Sequence, residues 1–389
     1  MAAQGHNIVA LTMRTEQHRD WGGVRVVHYS IGRESSKDIH PWVTDYESKI
    51  IRSEFCLRKA LELKSEGFCP EVIVAHSGWG ESLFLKNIWP EAKLGLYCEY
   101  YYRTVDSDFD YDPEFCLTNI DDVCRVQLKN SIQLLQFELA DAAISPTAFQ
   151  KQTYPDWFQS RIAAIHDGID TNTLKPDPDV SITLNNNLTL KKSDNIVTFV
   201  NRTLEPYRGY HSFMRAIPSV LRSNPETFIL IVGGTGKGYG ASPSNSSWMD
   251  IFYAEVRNAN QDIDWDRVFF LGNLDYETYK LVIQLTTVHV YLTYPFVISW
   301  SLLEAMSVGA AIVASDTAPV REFIEADRNG LVASFFDYEE IANKIVSLIN
   351  DETLRKRLGN SARETIRNHY DLNTVALPRQ LAWIEKLAN

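Results

Sequence analysis

The chain is short of the residues that would staple it covalently or carry it into a membrane. Its five cysteines (Cys56, Cys69, Cys98, Cys116, Cys124) are odd in number and scattered over 389 residues, with no Cys-x-x-Cys pair. That speaks against a disulfide framework or a cysteine zinc site and fits reduced thiols in a cytosol. No run of eighteen apolar residues and no signal peptide is found, so the expected location is cytoplasmic. Positive charge is scarce as well: 38 Lys and Arg stand against 50 Asp and Glu, a net charge of -12. A nucleic-acid partner is therefore not expected. The basic run Leu354-Arg-Lys-Arg357 leaves peripheral membrane contact open, although such a run is more often a solvated helix face. No internal repeat is evident beyond two similar α/β halves. A dinucleotide fingerprint is missing too. Gly233 to Gly240 is glycine-rich, but Ala241–Ser247 separates it from any helix, which counts against a dehydrogenase. The acidic stretch Asp106–Asp112 lacks the glycine and the terminal glutamate of an EF-hand, so an exposed loop without metal is expected there.

What is present is an alternation of short apolar runs with helical patterns. Strands are expected at Ile8–Leu11, Val24–His28, Val72–Ala75, Leu94–Tyr97 and Ala142–Ile144, with helices near Glu47–Lys64, Trp79–Ile88 and Ile120–Leu139. Such alternation is α/β with a parallel sheet. At this length two domains are expected. Lys175–Asn187 is rich in turn formers and reads as the linker between them. The opening Met1–Asn7 reads as the end of a helix capped by Gly5.

The most informative stretch runs from Val290 to Asp316. A β-branched and aromatic strand ends at Pro295, a buried helix spans Trp300 to Val308, Gly309 terminates it, and Ile312–Ala314 is the next strand. In such a unit ligands bind at the carboxyl ends of the strands. The loop Phe296-Val297-Ile298-Ser299 lies at that end, where backbone N–H groups and the helix start favour an anion. Glu304 stands inside the apolar helix. Ser301-Leu-Leu-Glu304 matches a capping box, and the other reading is a carboxylate that accepts bonds from ribose hydroxyls. A second loop, Asn201-Arg202-Thr-Leu-Glu-Pro-Tyr-Arg208-Gly209, sets two arginines between a strand and a helix, as suits a diphosphate. Its bland alternative is a surface Arg202 and an Arg208–Glu205 pair. His76 ends a strand before Gly78-Trp79-Gly80. Glu99 follows another and precedes Tyr100, Tyr101 and Tyr102, which could stack on a sugar; Glu99 and Arg103 are alternatively an ion pair at helical spacing.

Ser301–Gly309, Ile312–Asp316 and Pro319-Val-Arg-Glu322, together with Arg202, Arg208 and Gly209, resemble the signature of family-4 (group 1) retaining glycosyltransferases of the GT-B fold. The resemblance implies two Rossmann-like domains with parallel sheets facing across a cleft: 1–170 on the acceptor side, with a helix at about 370–389 returning to it, a linker at 171–189, and 190–369 for the nucleotide sugar. In that family a first strand and a glycine loop precede the opening helix, so the first strand is expected to be missing here. Arg202 and Arg208 would grip the diphosphate and, with His76 and Glu99, act in catalysis. Gly234, Asn273, Leu274, Phe296, Val297, Ile298, Ser299, Ser301 and Glu304 would complete the donor site. The family usually has two glutamates seven residues apart. Glu304 matches the second, and Phe296 occupies the place of the first, where sugar choice is made. The implied reaction is transfer from a UDP- or GDP-linked sugar to a hydroxyl of a glycan, lipid-linked sugar or protein, with retention, no metal and no other cofactor. The alternative is a catalytically weak scaffold that binds a nucleotide sugar or a protein partner.

Overall fold

The structure is a computed structural model that describes residues 1–13, 21–116, 119–184 and 187–389. It divides into two compact units: residues 1–105, 117–166 and 377–389 form the first, and residues 106–116 and 167–376 the second.

In the first unit, β1 (Val9–Thr12) and β2 (Arg25–His28) pair in parallel with each other alone, while β3 (Val72–His76), β4 (Lys93–Tyr97), β5 (Ala142–Ser145) and β6 (Ile162–Ala164) form a four-stranded parallel sheet in chain order. The opening segment is a 3-10 turn, Ala2–Gln4, closed by Gly5 in the left-handed region. The sheet's core gathers Ile73, Leu94, Leu96, Phe137, Tyr154 and Phe158, and Val9, Leu11 and Val27 of the separate pair pack on the same cluster. The long helix α1 (Thr44–Ser65) forms as the sequence implies. Two other expected helices do not. Between Trp79 and Ile88 only α2 (Leu85–Ile88) is helical, because Gly80, at φ +95°, turns the chain tightly before it. Ile120–Leu139 is broken into α3 (Ile120–Lys129) and α4 (Ser131–Phe137) at Asn130. The Asn130 side chain bonds both the N–H and the carbonyl of Tyr102, at 3.0 and 2.8 Å, an anchoring that no helical periodicity encodes. After α5 (Ala148–Thr153) and α6 (Asp156–Gln159), the unit is completed by the C-terminal helix Leu377–Ala388. Its Trp383 and Leu387 press so closely on β4 that a Cβ on Gly95 would lie 2.6 Å from the indole.

The second unit begins with β7 (Ser181–Thr183) and β8 (Thr189–Lys191), an antiparallel pair. This corrects the linker reading of 171–189. Leu174, Val180, Leu184 and Leu190 are buried in the second unit's core, so the turn formers shape a packed hairpin rather than a free connection; residues 185–186 lie outside the described residues. The main sheet is six-stranded and parallel, ordered β11 (Val268–Gly272), β10 (Phe228–Gly234), β9 (Ile196–Thr203), β12 (Val288–Tyr291), β13 (Ala311–Ser315) and β14 (Leu331–Ala333). Its strands β9, β12 and β13 are buried on both faces, as the continuous apolar runs of a covered parallel sheet require. Chain order leaves β9 for β10 and then returns beside β9 as β12, which makes the carboxyl ends of β9 and β12 a topological switch point. Helices α7 (Tyr210–Ser223), α8 (Trp248–Ala259), α9 (Tyr276–Leu285), α10 (Trp300–Ser307), α11 (Ala318–Arg321), α12 (Tyr338–Asn350) and α13 (Glu352–His369) follow the strands. Among the described residues no helix is long and apolar enough to cross a membrane.

The acidic stretch 106–116 is another correction. The loop expected to be exposed, Asp106–Asp112, is only partly so: Asp106 and Asp110 are exposed, but Asp108 and Asp112 are buried, and the segment belongs to the second unit. Asp112 accepts from the Tyr294 hydroxyl at 2.8 Å and lies 3.1 Å from His211 Nε2, and these partners hold its carboxyl below its ordinary range despite burial. Asp108 accepts from the Tyr207 hydroxyl at 2.7 Å. Partners remote in sequence, not local composition, set the burial of these acids.

Helix α10 ends on Gly309, at φ +75°, and α13 passes directly over that turn. A Cβ on Gly359 would fall 2.3 Å from the Gly309 carbonyl oxygen. Gly359→Ala is therefore expected to lower stability by about 1–3 kcal/mol, read from urea unfolding, because backbone rather than a flexible side chain must give way.

Candidate active site

Several of the residues expected for donor binding lie near the switch point. A cavity of about 350 Å³ is lined by Val200, Asn201, Arg202, Val232, Asn273, Leu274, Tyr279, Ser299, Trp300, Ser301 and Glu304. Six of the residues expected from sequence for donor binding thus meet there: Arg202, Asn273, Leu274, Ser299, Ser301 and Glu304. Gly234 stands just behind, where any Cβ would come within 2.8 Å of the Asn273 side chain.

Glu304 does not cap its own helix. The N-cap of α10 is Ser299, and the Glu304 carboxylate instead receives the Tyr279 hydroxyl from α9. The capping-box reading is thereby set aside: Ser301 already lies inside the helix, and its hydroxyl reaches Ser299 and the Val200 carbonyl. Burial raises the carboxyl pKa of Glu304, and the Tyr279 hydrogen bond lowers it in part.

Arg208 is 5 % exposed and donates to Thr293 Oγ1 at 2.9 Å and to the Val297 carbonyl at 2.8 Å. Its alternative partner Glu205 is engaged elsewhere, accepting the backbone N–H groups of Tyr239 and Gly240 at 2.9 and 3.1 Å. No carboxylate lies within ion-pair distance of Arg202 or Arg208 among the described residues. Both guanidinium groups stand about 5 Å from the Tyr239 ring, Arg202 at 5.0 Å and Arg208 at 5.1 Å. The turn that places Arg208 needs Gly209, at φ +67°, where a Cβ would come within 2.4 Å of Leu292.

The loop after β12 differs from the expectation in one respect. Phe296 and Ile298 are buried, the Phe296 N–H bonds the Tyr294 carbonyl at 2.7 Å, and the Ser299 N–H bonds the Tyr291 hydroxyl at 2.7 Å. Those two amides are not open to a ligand, since the loop spends them on its own shape. Phe296 packs on Tyr239 at 4.9 Å and Tyr207 at 5.7 Å, with Arg208 5.8 Å from its ring. Val297 serves through its carbonyl, as the brace of Arg208.

In the first unit the structure joins His76, at the end of β3, to Glu99, just after β4: Nε2 and Oε2 are 3.1 Å apart. His76 Nδ1 accepts the Gly78 N–H at 3.0 Å, so the ring proton sits on Nε2 and points at Glu99. Trp79 stacks on the other side of the ring system, 4.2 Å away. No helix runs from Glu99 to Arg103, so the helical ion-pair alternative loses its geometry. The tyrosines after Glu99 are largely structural: Tyr100 is buried, and Tyr101 packs against Phe137 and Tyr154.

Residues 4–174 match the glycosyl transferase family 4 group, and residues 181–365 match the glycosyl transferases group 1. The chain belongs to the group 1 glycosyltransferases. Among curated relatives it is 27% identical over 174 residues to an uncharacterized glycosyltransferase of Methanocaldococcus jannaschii, covering 44% of this chain and 41% of that protein. It is 25% identical over 183 residues to the phosphatidyl-myo-inositol mannosyltransferase of Mycobacterium leprae, covering 46% and 44%. Each match spans less than half the relative's own length. Among solved structures, sucrose-phosphate synthase from Thermosynechococcus elongatus superposes with a TM-score of 0.74 at 18% identity, over 100% of this chain and 90% of that one. Anabaena HepE, solved in complex with UDP and glucose, gives 0.64 at 16%, over 94% and 87%. The fold of this group 1 chain is GT-B.

Sequence reasoning passed over Tyr239, Tyr279 and Trp300. Tyr239 sits in the glycine-rich loop dismissed as a fingerprint, and Trp300 was visible only as the first residue of a helix. Tyr279 lies 25 residues from Glu304 and gives no local signal.

The raised carboxyl pKa of Glu304 has a stability consequence. A folded pKa above the unfolded one gives stability that is complete below the unfolded value and is lost as pH rises through the folded value. Glu304→Gln removes that loss. The ligand-free variant is expected to melt above the wild type at pH about 8, with the margin vanishing toward pH about 4, in a thermal melt series.

Proposed function

We propose that this chain transfers a sugar from a nucleoside-diphosphate donor to an acceptor hydroxyl, with retention of anomeric configuration and without a metal, in the assembly of a glycan or glycoconjugate. The observation that carries the reading is a cation without an anion: Arg208 is buried with no carboxylate partner among the described residues, its guanidinium beside the same Tyr239 ring as that of Arg202, and Arg202 lines the cavity that Glu304 also lines. A diphosphate supplies the missing charge, and the ribose attached to it offers the two hydroxyls that a buried carboxylate accepts.

In this reading the bond between the anomeric carbon and the diphosphate oxygen breaks, and charge accumulates on the leaving phosphate. Arg202 and Arg208 stabilise that charge in a setting already ordered before reaction, so little reorganisation is needed. The acceptor oxygen bonds to the same face of the sugar, and its proton leaves with the departing phosphate or to a nearby base. Glu99 is the half-exposed carboxylate suited to hold the acceptor hydroxyl, and His76, whose Nδ1 lone pair is taken by Gly78, orients it. The donor base is uridine or guanosine, seated against Asn273 and Leu274.

The scaffold reading draws on Phe296, which puts a buried aromatic ring where the family usually presents a carboxylate to the sugar. Hydrolysis of a panel of UDP- and GDP-sugars separates the two: turnover of any donor above background excludes the scaffold, and none supports it. Arg208→Ala is expected to cut turnover at least about a hundredfold. It is also expected to cost about 1–3 kcal/mol of stability, because the Val297 carbonyl and Thr293 lose their donor. Arg202→Ala, on an exposed residue, separates these effects, lowering turnover with an unchanged melting temperature. Proton NMR of the product reports the anomer, and full activity in EDTA is the expected result for a metal-free reaction.

A further inference from the structure

We infer that Tyr279 is a positioning residue for nucleotide binding: its hydroxyl fixes one oxygen of the Glu304 carboxylate and presents the other, ionised, to the vicinal hydroxyls of a ribose. The inference deepens the reading proposed above and rests on it. Tyr279 stands on the first turns of α9, whose start is set by Asp275: one carboxylate oxygen accepts the Thr278 N–H at 3.0 Å and the other the Thr278 hydroxyl at 2.8 Å. From there the ring enters the cavity wall and its hydroxyl donates to Glu304 Oε2. No partner is found for Oε1 among the described residues, and Glu304 is only 9 % exposed.

The division of labour follows from chemistry. A carboxylate in a nearly dry wall tends to take up a proton, and a protonated carboxyl is a weaker acceptor for two hydroxyls. Arg202 lines the same cavity without making an ion pair to Glu304, so a neutral hydroxyl is the main local support of the negative charge. Among the described residues the other ionisable group that acts on the carboxylate is Tyr276 on the same helix as Tyr279, with Asp170 and Glu277 near it; none of these is a cation. Tyr279 keeps its own proton, because burial and the adjacent Glu304 push its hydroxyl far above the usual range. It is a permanent donor. Phenylalanine at 279 would fill the same space, so the hydroxyl is dispensable for packing and its one contribution is the bond.

The test compares wild type with Tyr279→Phe, titrated with UDP, GDP and their 2′-deoxy counterparts between about pH 6 and pH 9 by calorimetry. Wild type is expected to prefer the ribonucleotide and to bind it with little pH dependence. The variant is expected to bind it about tenfold more weakly near the acid end, to recover as pH rises, and to lose the preference for ribose over deoxyribose while Glu304 is protonated. Unchanged affinities, or an equal loss at every pH with the preference kept, would overturn the inference, the second outcome marking Tyr279 as packing alone. If UDP and GDP fail to bind wild type at any pH, the nucleotide reading of the site is what falls. A ligand-free measurement still decides the hydroxyl's part: carbon-13 carboxyl titration of Glu304 should move upward in Tyr279→Phe, and an unmoved titration refutes it.

Discussion

Arg208 carries a full positive charge at 5 % exposure, and no carboxylate lies close enough among the described residues to offset it. A buried charge in that state is costly unless something fixes and solvates it. Here a threonine hydroxyl and a backbone carbonyl do so, together with the electron-rich faces of Tyr239 and Phe296. These are all neutral partners, so the charge itself stays available. Much of the second unit is arranged to keep it that way. Glu205, three residues earlier, could have neutralised Arg208, but its carboxylate is spent on the amides of the glycine-rich loop.

The same constraint explains the tyrosines around the loop. Tyr207 and Tyr294 lie 4.6 Å apart, and each is anchored through its hydroxyl to an aspartate of the segment 106–116. Both acids are thereby engaged by phenol hydroxyls, and neither forms an ion pair with Arg208. In the cavity wall Glu304 shows a parallel arrangement, with a neutral hydroxyl bonded to one carboxylate oxygen and no partner for the other among the described residues. The cation and the anion are each braced by uncharged groups, and neither is cancelled by the other.

Several parts of this plan could be read in the linear chain. The strand–loop–helix–strand unit from Val290 to Ser315 was legible because its apolar runs and Gly309 give local signals with a fixed period. The convergence of Arg202, Asn273, Leu274, Ser299, Ser301 and Glu304 on one cavity was legible because each lies at a strand's carboxyl end or in the loop and first helical turns that follow it. The break at Asn130 was not, since its cause is a contact with Tyr102 nearly thirty residues away. Nor was the burial of Asp108 and Asp112, whose partners come from a distant part of the chain.

What the sequence determined on its own is therefore the class of architecture and the chemical types at the site, since periodicity, turn residues and strand ends are local properties. Tertiary structure alone decided which atom each polar group would face. It turned Glu304 from its own helix to Tyr279, Glu205 from Arg208 to the Tyr239 and Gly240 amides, and the proton of His76 toward Glu99. Hydrogen bonds are short and directional, so a partner is fixed only once packing has brought remote segments within about 3 Å.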